Sequence, residues 1–262
     1  MPRKKIGLAL SGGGARGFAH IGVLKVFAEH DITFDMIAGT SAGSIIGGAI
    51  AAGMSVDEII AMSEKVGYAN MMRPTLGFGG MFSNAPMGNF IRRHFPVSRF
   101  EDLAIPFSAV AFDLANSERV VMSGSGDLVT AVRASCAVPG VFAPVRETNG
   151  RKLVDGGVVS PMPIDVVRAM GAEVVIGVDV LACGASFRKN SRTGVGIMIQ
   201  SVLSMIRTNA RNEHADADIV IVPQIAHLRP DQIGKRVELI RFGEQAAKEK
   251  VGEIKRLLDY SQ

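Results

Sequence analysis

Gly39-Thr-Ser-Ala-Gly43 places one serine between two glycines, where the apolar run Phe34–Ala38 gives way to a helical pattern starting at Ala42. In that strand–turn–helix setting, G-x-S-x-G projects a serine hydroxyl from the end of a sheet. The turn strains the serine backbone, and Gly39 and Gly43 let strand and helix approach without Cβ clashes. The start of the helix turns its positive dipole end toward the hydroxyl, where charge develops in acyl transfer. A glycine-rich helix start packed closely on a sheet gives the same letters, and the pentapeptide by itself does not separate the two.

A second glycine cluster, Ser11-Gly-Gly-Gly-Ala-Arg-Gly17, follows the run Lys5–Leu10 and precedes a helix. Gly12, Gly14 and Gly17 satisfy G-x-G-x-x-G, so a dinucleotide site must be weighed. That site needs an acidic residue at the far tip of the next strand. Asp35 has about the right spacing but sits at the start of Phe34–Ala38. A P-loop is excluded because no Gly-Lys-Ser/Thr follows. What is left is a turn of bare backbone N–H groups at a helix N-terminus, an anion cradle. Beside Ser41, the anion would be the oxyanion of a tetrahedral intermediate.

A serine nucleophile needs a base. His20 and His30 fall in or at the end of the first helix, and His94 lies at a helix end. His214 and His227 have polar, loop-like surroundings. None has a glycine-flanked, strand-end setting. Asp155 does: Leu153-Val-Asp-Gly-Gly157 is a short apolar run ending in a carboxylate, with two glycines after it. Alone, this motif also reads as an ordinary turn aspartate.

Together the three stretches resemble the patatin-like phospholipase family. Gly12–Gly17 matches its glycine-rich oxyanion loop, Gly39–Gly43 its nucleophile elbow, and Asp155-Gly156-Gly157 its D-G-G/A motif. The string GGGARGFAHIGVL is most similar to the bacterial branch related to neuropathy target esterase. Ala134-Ser-Cys-Ala-Val-Pro139, with Phe142 and Pro144, resembles a further family stretch. One departure is Ser160-Pro-Met-Pro163, where many members have Asn-x-Pro. The likeness spans about residues 5–180 of what reads as one domain over 1–262. The part from 190 to 262 reads as helical and carries no family motif.

The resemblance implies a Ser41–Asp155 dyad that hydrolyses acyl esters of phospholipids or lysophospholipids, with no metal and no cofactor. Backbone N–H groups of Gly12, Gly13, Gly14, Ala15 and Arg16 would serve the oxyanion. Arg16 also reads as a surface arginine in a first helical turn. An unperturbed aspartate is a weak base for a hydroxyl, so Asp155 needs an apolar cleft to raise its pKa. The same chemistry fits a thioesterase or acyltransferase. A regulatory protein that keeps the fold but acts by binding, or a nucleotide-binding module, are readings of a different class.

Positioning these residues requires strands alternating with helices. Strands are expected at Lys5–Leu10, Phe34–Ala38, Phe107–Phe112, Arg119–Met122, Val174–Val180 and Asp218–Val222. Helices are expected at Arg16–Glu29, Ala42–Ala52, Val56–Val66, Pro86–His94, Leu128–Ala134 and Ile164–Met170, with long ones near Gly194–Arg211 and Gln232–Leu258. Ser55-Val-Asp-Glu58 has the form of a capping box. Ile233, Val237, Ile240, Ala247, Val251, Ile254 and Leu258 form an amphipathic stripe. This alternation predicts an α/β fold with three α/β/α layers and a mainly parallel central sheet.

The chain has 262 residues, 47% of them hydrophobic, and a net charge of +4. That is too weakly basic to argue for nucleic acid, and it leaves room for peripheral contact with an anionic membrane. Two cysteines, Cys136 and Cys183, in no metal-like spacing suit a reducing compartment. The apolar stretch Ile6–Leu10 is too short for a signal peptide, so the start reads as mature and cytoplasmic. No run approaches the roughly 18 apolar residues of a membrane span. Residues 70–82 combine methionines and phenylalanines with glycines. They read either as a mobile flap over the Ser41 cleft with Arg73 facing anionic head groups, or as a loop buried on the core.

Overall fold

The computed structural model describes residues 3–75, 79–148, 150–182 and 193–259. In chain order the elements begin β1 (Ile6–Leu10), α1 (Phe18–Glu29), β2 (Met36–Thr40), α2 (Ala42–Ala51), α3 (Val56–Glu64) and α4 (Tyr68–Met71). They continue with β3 (Arg73–Pro74), β4 (Phe82–Ser83), α5 (Ala85–His94), β5 (Phe107–Asp113), β6 (Glu118–Ser123), α6 (Leu128–Ser135) and β7 (Val145–Arg146). The last are β8 (Lys152–Asp155), α7 (Ile164–Ala169), β9 (Val174–Val178), α8 (Gly194–Asn212), β10 (Ile219–Ile221) and α9 (Arg236–Asp259).

Every residue of β1, β2 and β9 is buried. Strands covered on both faces belong inside a parallel sheet with helices on each side. The sheet runs β10-β9-β1-β2-β5-β8-β7, with β6 also on β5. Pairing is parallel from β10 through β5 and antiparallel where β6, β7 and β8 join. Leu8, Leu10, Ile37, Phe107, Ile176 and Val178 pack with α1, α2 and α9 on one face. The alternate residues Ala9, Met36, Ala38, Val110 and Val175 pack with α7 on the other. The fold is therefore the expected three-layer α/β/α arrangement. α9 packs on α1, where Gly22 and Gly243 leave no room for a Cβ beside the opposing backbone, and Ala247, Val251 and Ile254 of the expected stripe are buried. Val237 departs from the stripe at 72% exposed, and Ile233 lies in a 3-10 turn before α9.

The second strand sits two residues later than its composition suggests. Asp35 accepts the Ile6 N–H and pairs with Arg3, so pairing begins at Met36 and runs to Thr40. The capping box at Ser55 and Glu58 forms in both directions. Residues 70–82 hold more regular structure than their glycines suggest. Tyr68–Met71 is helical, Met71 is buried, and β3 pairs with β4. Phe82 exchanges backbone hydrogen bonds with Val141 and Ala143, which ties down the second arm of the segment. Residues 76–78, including Phe78, lie outside the described residues, as does Cys183.

Candidate active site

Ser41 follows β2 directly and adopts φ 53° and ψ −122°. A non-glycine residue there is strained by about 1–3 kcal/mol and persists only if its surroundings over-determine it. They do. Its N–H donates to Ser135 Oγ at 2.9 Å, and its carbonyl accepts from Ser44 Oγ at 2.6 Å and Ser44 N at 2.8 Å. A side chain at Gly43 would strike the Leu10 carbonyl, and one at Gly39 would strike the backbone of Gly43. The glycines therefore let the turn close against the sheet.

The register of β5 explains how a residue 114 positions away comes to face this turn. Val110 pairs with both Thr40 and Val121, and Ala111 pairs with both Asp155 and Val120. A strand has two edges, so β6 fills one while β2 and β8 share the other end to end. β2 runs up to Val110 and stops; β8 runs the opposite way and stops at Ala111. Thr40 and Asp155 are thus delivered to adjacent register positions, with Ser41 the next residue after Thr40. Gly156 makes this possible, since a Cβ there would collide with the Val110 carbonyl.

Asp155 is 2% exposed. Its Oδ1 accepts the Gly157 N–H at 2.8 Å, and the Ser41 hydroxyl is its other hydrogen-bonding neighbour. Burial pushes the carboxyl up to about 6, against the opposing pull of those two hydrogen bonds. The Cys136 thiol beside Ser44 is raised by burial and then by the charge of Asp155, which keeps it protonated and unreactive.

The glycine loop lies against the serine: a Cβ on Gly12 would sit 3.2 Å from Ser41 Cβ and 4.0 Å from its Oγ. Three of the five expected donors are already engaged. Gly12 N–H donates to the Pro161 carbonyl at 2.9 Å, Ala15 N–H to Pro230 at 2.7 Å and Arg16 N–H to Gly13 at 3.2 Å. This corrects the wider set. Among the described residues, the amides of Gly13 and Gly14 keep no partner, nor do those of Ala42 and Gly43 at the start of α2.

The profile of the Patatin-like phospholipase family matches residues 8–168, a segment that holds the loop, the elbow and Asp155. The chain belongs to the patatin-like phospholipase family. An NTE family protein of Mycobacterium tuberculosis is 36% identical over 179 residues, 67% of this chain and 49% of that protein. Mouse patatin-like phospholipase domain-containing protein 7 is 38% identical over 183 residues, again 67% of this chain but 13% of its own length. The chain thus spans about half the length of the mycobacterial relatives it matches. Among solved structures, VipD from Legionella pneumophila superposes with a TM-score of 0.57 at 16% identity, covering 99% of this chain and 67% of that one. At that identity the likeness speaks to the patatin-like fold.

Arg16 is no surface arginine. It is fully buried, and its guanidinium donates to the carbonyls of Leu228 at 2.8 Å and Ile225 at 3.3 Å. It therefore ties the glycine loop to a segment outside the family match. The departure at Ser160–Pro163 is bridged by main chain. Thr40 Oγ1 donates to the Ser160 carbonyl, Pro161 receives Gly12, and Met162 N–H donates to Glu213 Oε2 at 2.7 Å. Burial lifts the Glu213 carboxyl to about 7.

His20 is buried, its ring nitrogen 2.9 Å from the Ser11 carbonyl, and burial lowers its pKa to about 4. His94 bonds to its own helix at Phe90, and His227 pairs with Glu238. His214 departs from its loop-like reading: its Nε2 lies 2.7 Å from Oδ2 of Asp179, a fully buried carboxylate just after β9. Sequence reasoning missed Ser135, Asp179 and Glu213. Asp179 carried a visible signal, a carboxylate after an apolar run like the one before Asp155, and Ser135 lies in the family-like stretch 134–139, which by itself gave it no role.

Proposed function

We propose that this protein hydrolyses acyl esters of phospholipids or lysophospholipids through a Ser41–Asp155 dyad. Ser41 Oγ attacks the ester carbonyl while its proton passes to Asp155. The oxyanion is received by the open amides of Gly13 and Gly14, with Ala42 N–H on the opposite side. Preorganised donors of this kind stabilise the charge that develops in the transition state. Collapse expels the alcohol, which takes the proton back from Asp155 and leaves acyl-Ser41. Asp155 then draws a proton from water, whose oxygen attacks the acyl carbonyl. Collapse of that intermediate releases the carboxylic acid as Asp155 returns the proton to Ser41 Oγ.

One observation carries the reading: a buried carboxyl near 6, facing a strained serine hydroxyl. A base performs best when its pKa lies near the working pH, ionised yet still proton-hungry. Membership of the family supports a lipid acyl chain over other esters. Ser41→Ala should abolish both fluorophosphonate labelling and turnover of a short p-nitrophenyl ester, with the thermal melting curve preserved. Unchanged turnover in the folded variant would end the proposal.

A further inference from the structure

α8 lies outside the family match and roofs the Asp155 turn. Ile206 is buried, and its Cγ2 lies 3.3 Å from where a Cβ on Gly157 would stand. Val202, Leu203 and Ala210 share that inner face with Val158 and Leu181. The outer face is built differently. Ile197 is 52% exposed, Met198 70% and Met205 66%. At 100° per residue, Ile197, Met198, Ser201, Ser204, Met205 and Thr208 all fall within one arc of about 120°. No charged side chain falls within it.

Three hydroxyls interrupt the apolar residues, but each is already satisfied. Ser201 Oγ donates to the Ile197 carbonyl at 3.0 Å, Ser204 to Gln200 at 2.8 Å and Thr208 to Ser204 at 3.1 Å. Hydroxyls that bond back to the preceding turn need little from water. From Ile197 to Thr208 the arc can therefore leave water without stranding a polar group, and the amide of Asn212 lies at the end of the helix, beyond that stretch. From Gly194 to Asn212 the helix carries Arg207 and Arg211 and no acidic residue. The first acid after it, Glu213, turns inward to Met162. An uncharged, internally satisfied face on a helix with only basic charges matches an anionic lipid surface.

We propose that the outer face of α8, the helix whose inner face covers the Asp155 turn, docks this protein on anionic membranes. The inference rests on the lipid reading of Ser41 and Asp155 and adds the surface that brings them to their substrate. Methionine suits the task, because its flexible thioether adapts to a disordered apolar medium.

The test is flotation of the full chain with vesicles of phosphatidylcholine, with and without phosphatidylglycerol. Wild type should bind the mixed vesicles more tightly than phosphatidylcholine alone. Met198→Ser combined with Met205→Ser should weaken binding by at least about tenfold. Ser201→Leu, which extends the apolar arc, should tighten it. Because all three sites are exposed, thermal melting should be nearly unchanged, and the opposite-direction variant guards against a folding artefact. Wild-type binding by the double variant would overturn the proposal. So would a wild-type dimer that the double variant converts to monomer, with no vesicle binding by either. Fluorophosphonate labelling of wild type, read alongside, separates the two claims. Labelling without flotation overturns docking alone, and flotation without labelling overturns the catalytic reading alone.

Discussion

Asp155 closes the run Lys152–Asp155 and Asp179 follows Val174–Val178, and both carboxylates are buried along the edge where the parallel strands end. Asp179 is saturated. Its Oδ1 accepts the N–H groups of Leu181 at 2.7 Å and Ala182 at 3.1 Å, while Oδ2 meets His214. Asp155 has a single amide, from Gly157, and the hydroxyl of Ser41. Burial with so few donors favours the neutral acid and raises the Asp155 pKa. The strand end left short of partners is the one suited to take a proton. The saturated one ties β9 to the segment after α8.

The largest expected effect is on catalysis. Asp155→Asn should lower kcat on a short soluble ester by roughly 10² to 10⁴, the usual worth of a general base. Asparagine keeps an oxygen for the Gly157 amide, so the fold should persist. Steady-state kinetics checks this, and a loss no greater than that in a His214→Ala protein would erase the distinction between the two aspartates.

The next effect is on stability, with opposite signs at the two sites. Asp179→Ala strands the buried Leu181 amide at about 1–3 kcal/mol and the part-buried Ala182 amide at less, so denaturant melts should show a clear loss. Asp155→Asn should instead stabilise at pH 8, by about 1–3 kcal/mol, since a tenfold change in proton affinity between the folded and unfolded chain is worth about 1.4 kcal/mol. The sign follows from the raised folded pKa. The unfolded chain gives up the Asp155 proton near the ordinary value, whereas the folded chain holds it to about 6. The carboxyl therefore weakens the fold above about pH 6, and the gain from asparagine should shrink toward zero by about pH 4. Parallel melts across that range would break the comparison if both variants lost stability everywhere.

Much of this arrangement is local and so legible in sequence. The elbow needs small residues within two positions of Ser41, and the glycine loop must be bare where it meets the serine. Asp155 was readable as a strand end, but its register against Ala111 depends on β2 and β8 sharing an edge of β5, which no short window contains. Arg16 misled for a related reason. Its partners at Ile225 and Leu228 lie more than 200 positions away, so a buried cation and a surface one look alike in sequence. Ser135 and Glu213 were missed because they act through single long-range hydrogen bonds to backbone amides. A serine in a helix and a glutamate after one carry no local mark of that role.

The central claim is that burial gives Asp155 the pKa near 6 of a working base, and the pH dependence of kcat/KM on a soluble ester, which reports the free enzyme, tests it. Glu213, with its carboxyl raised to about 7, is the confounding group, so wild type and Glu213→Gln should be measured side by side. Glutamine retains an oxygen for the Met162 amide. With Asp155 as the proposed base, its protonation should block catalysis, so kcat/KM should fall on the acid side with a midpoint near 6 in both proteins. A midpoint near the ordinary carboxylate value of about 4, or an acid limb that disappears in Glu213→Gln, would contradict the account.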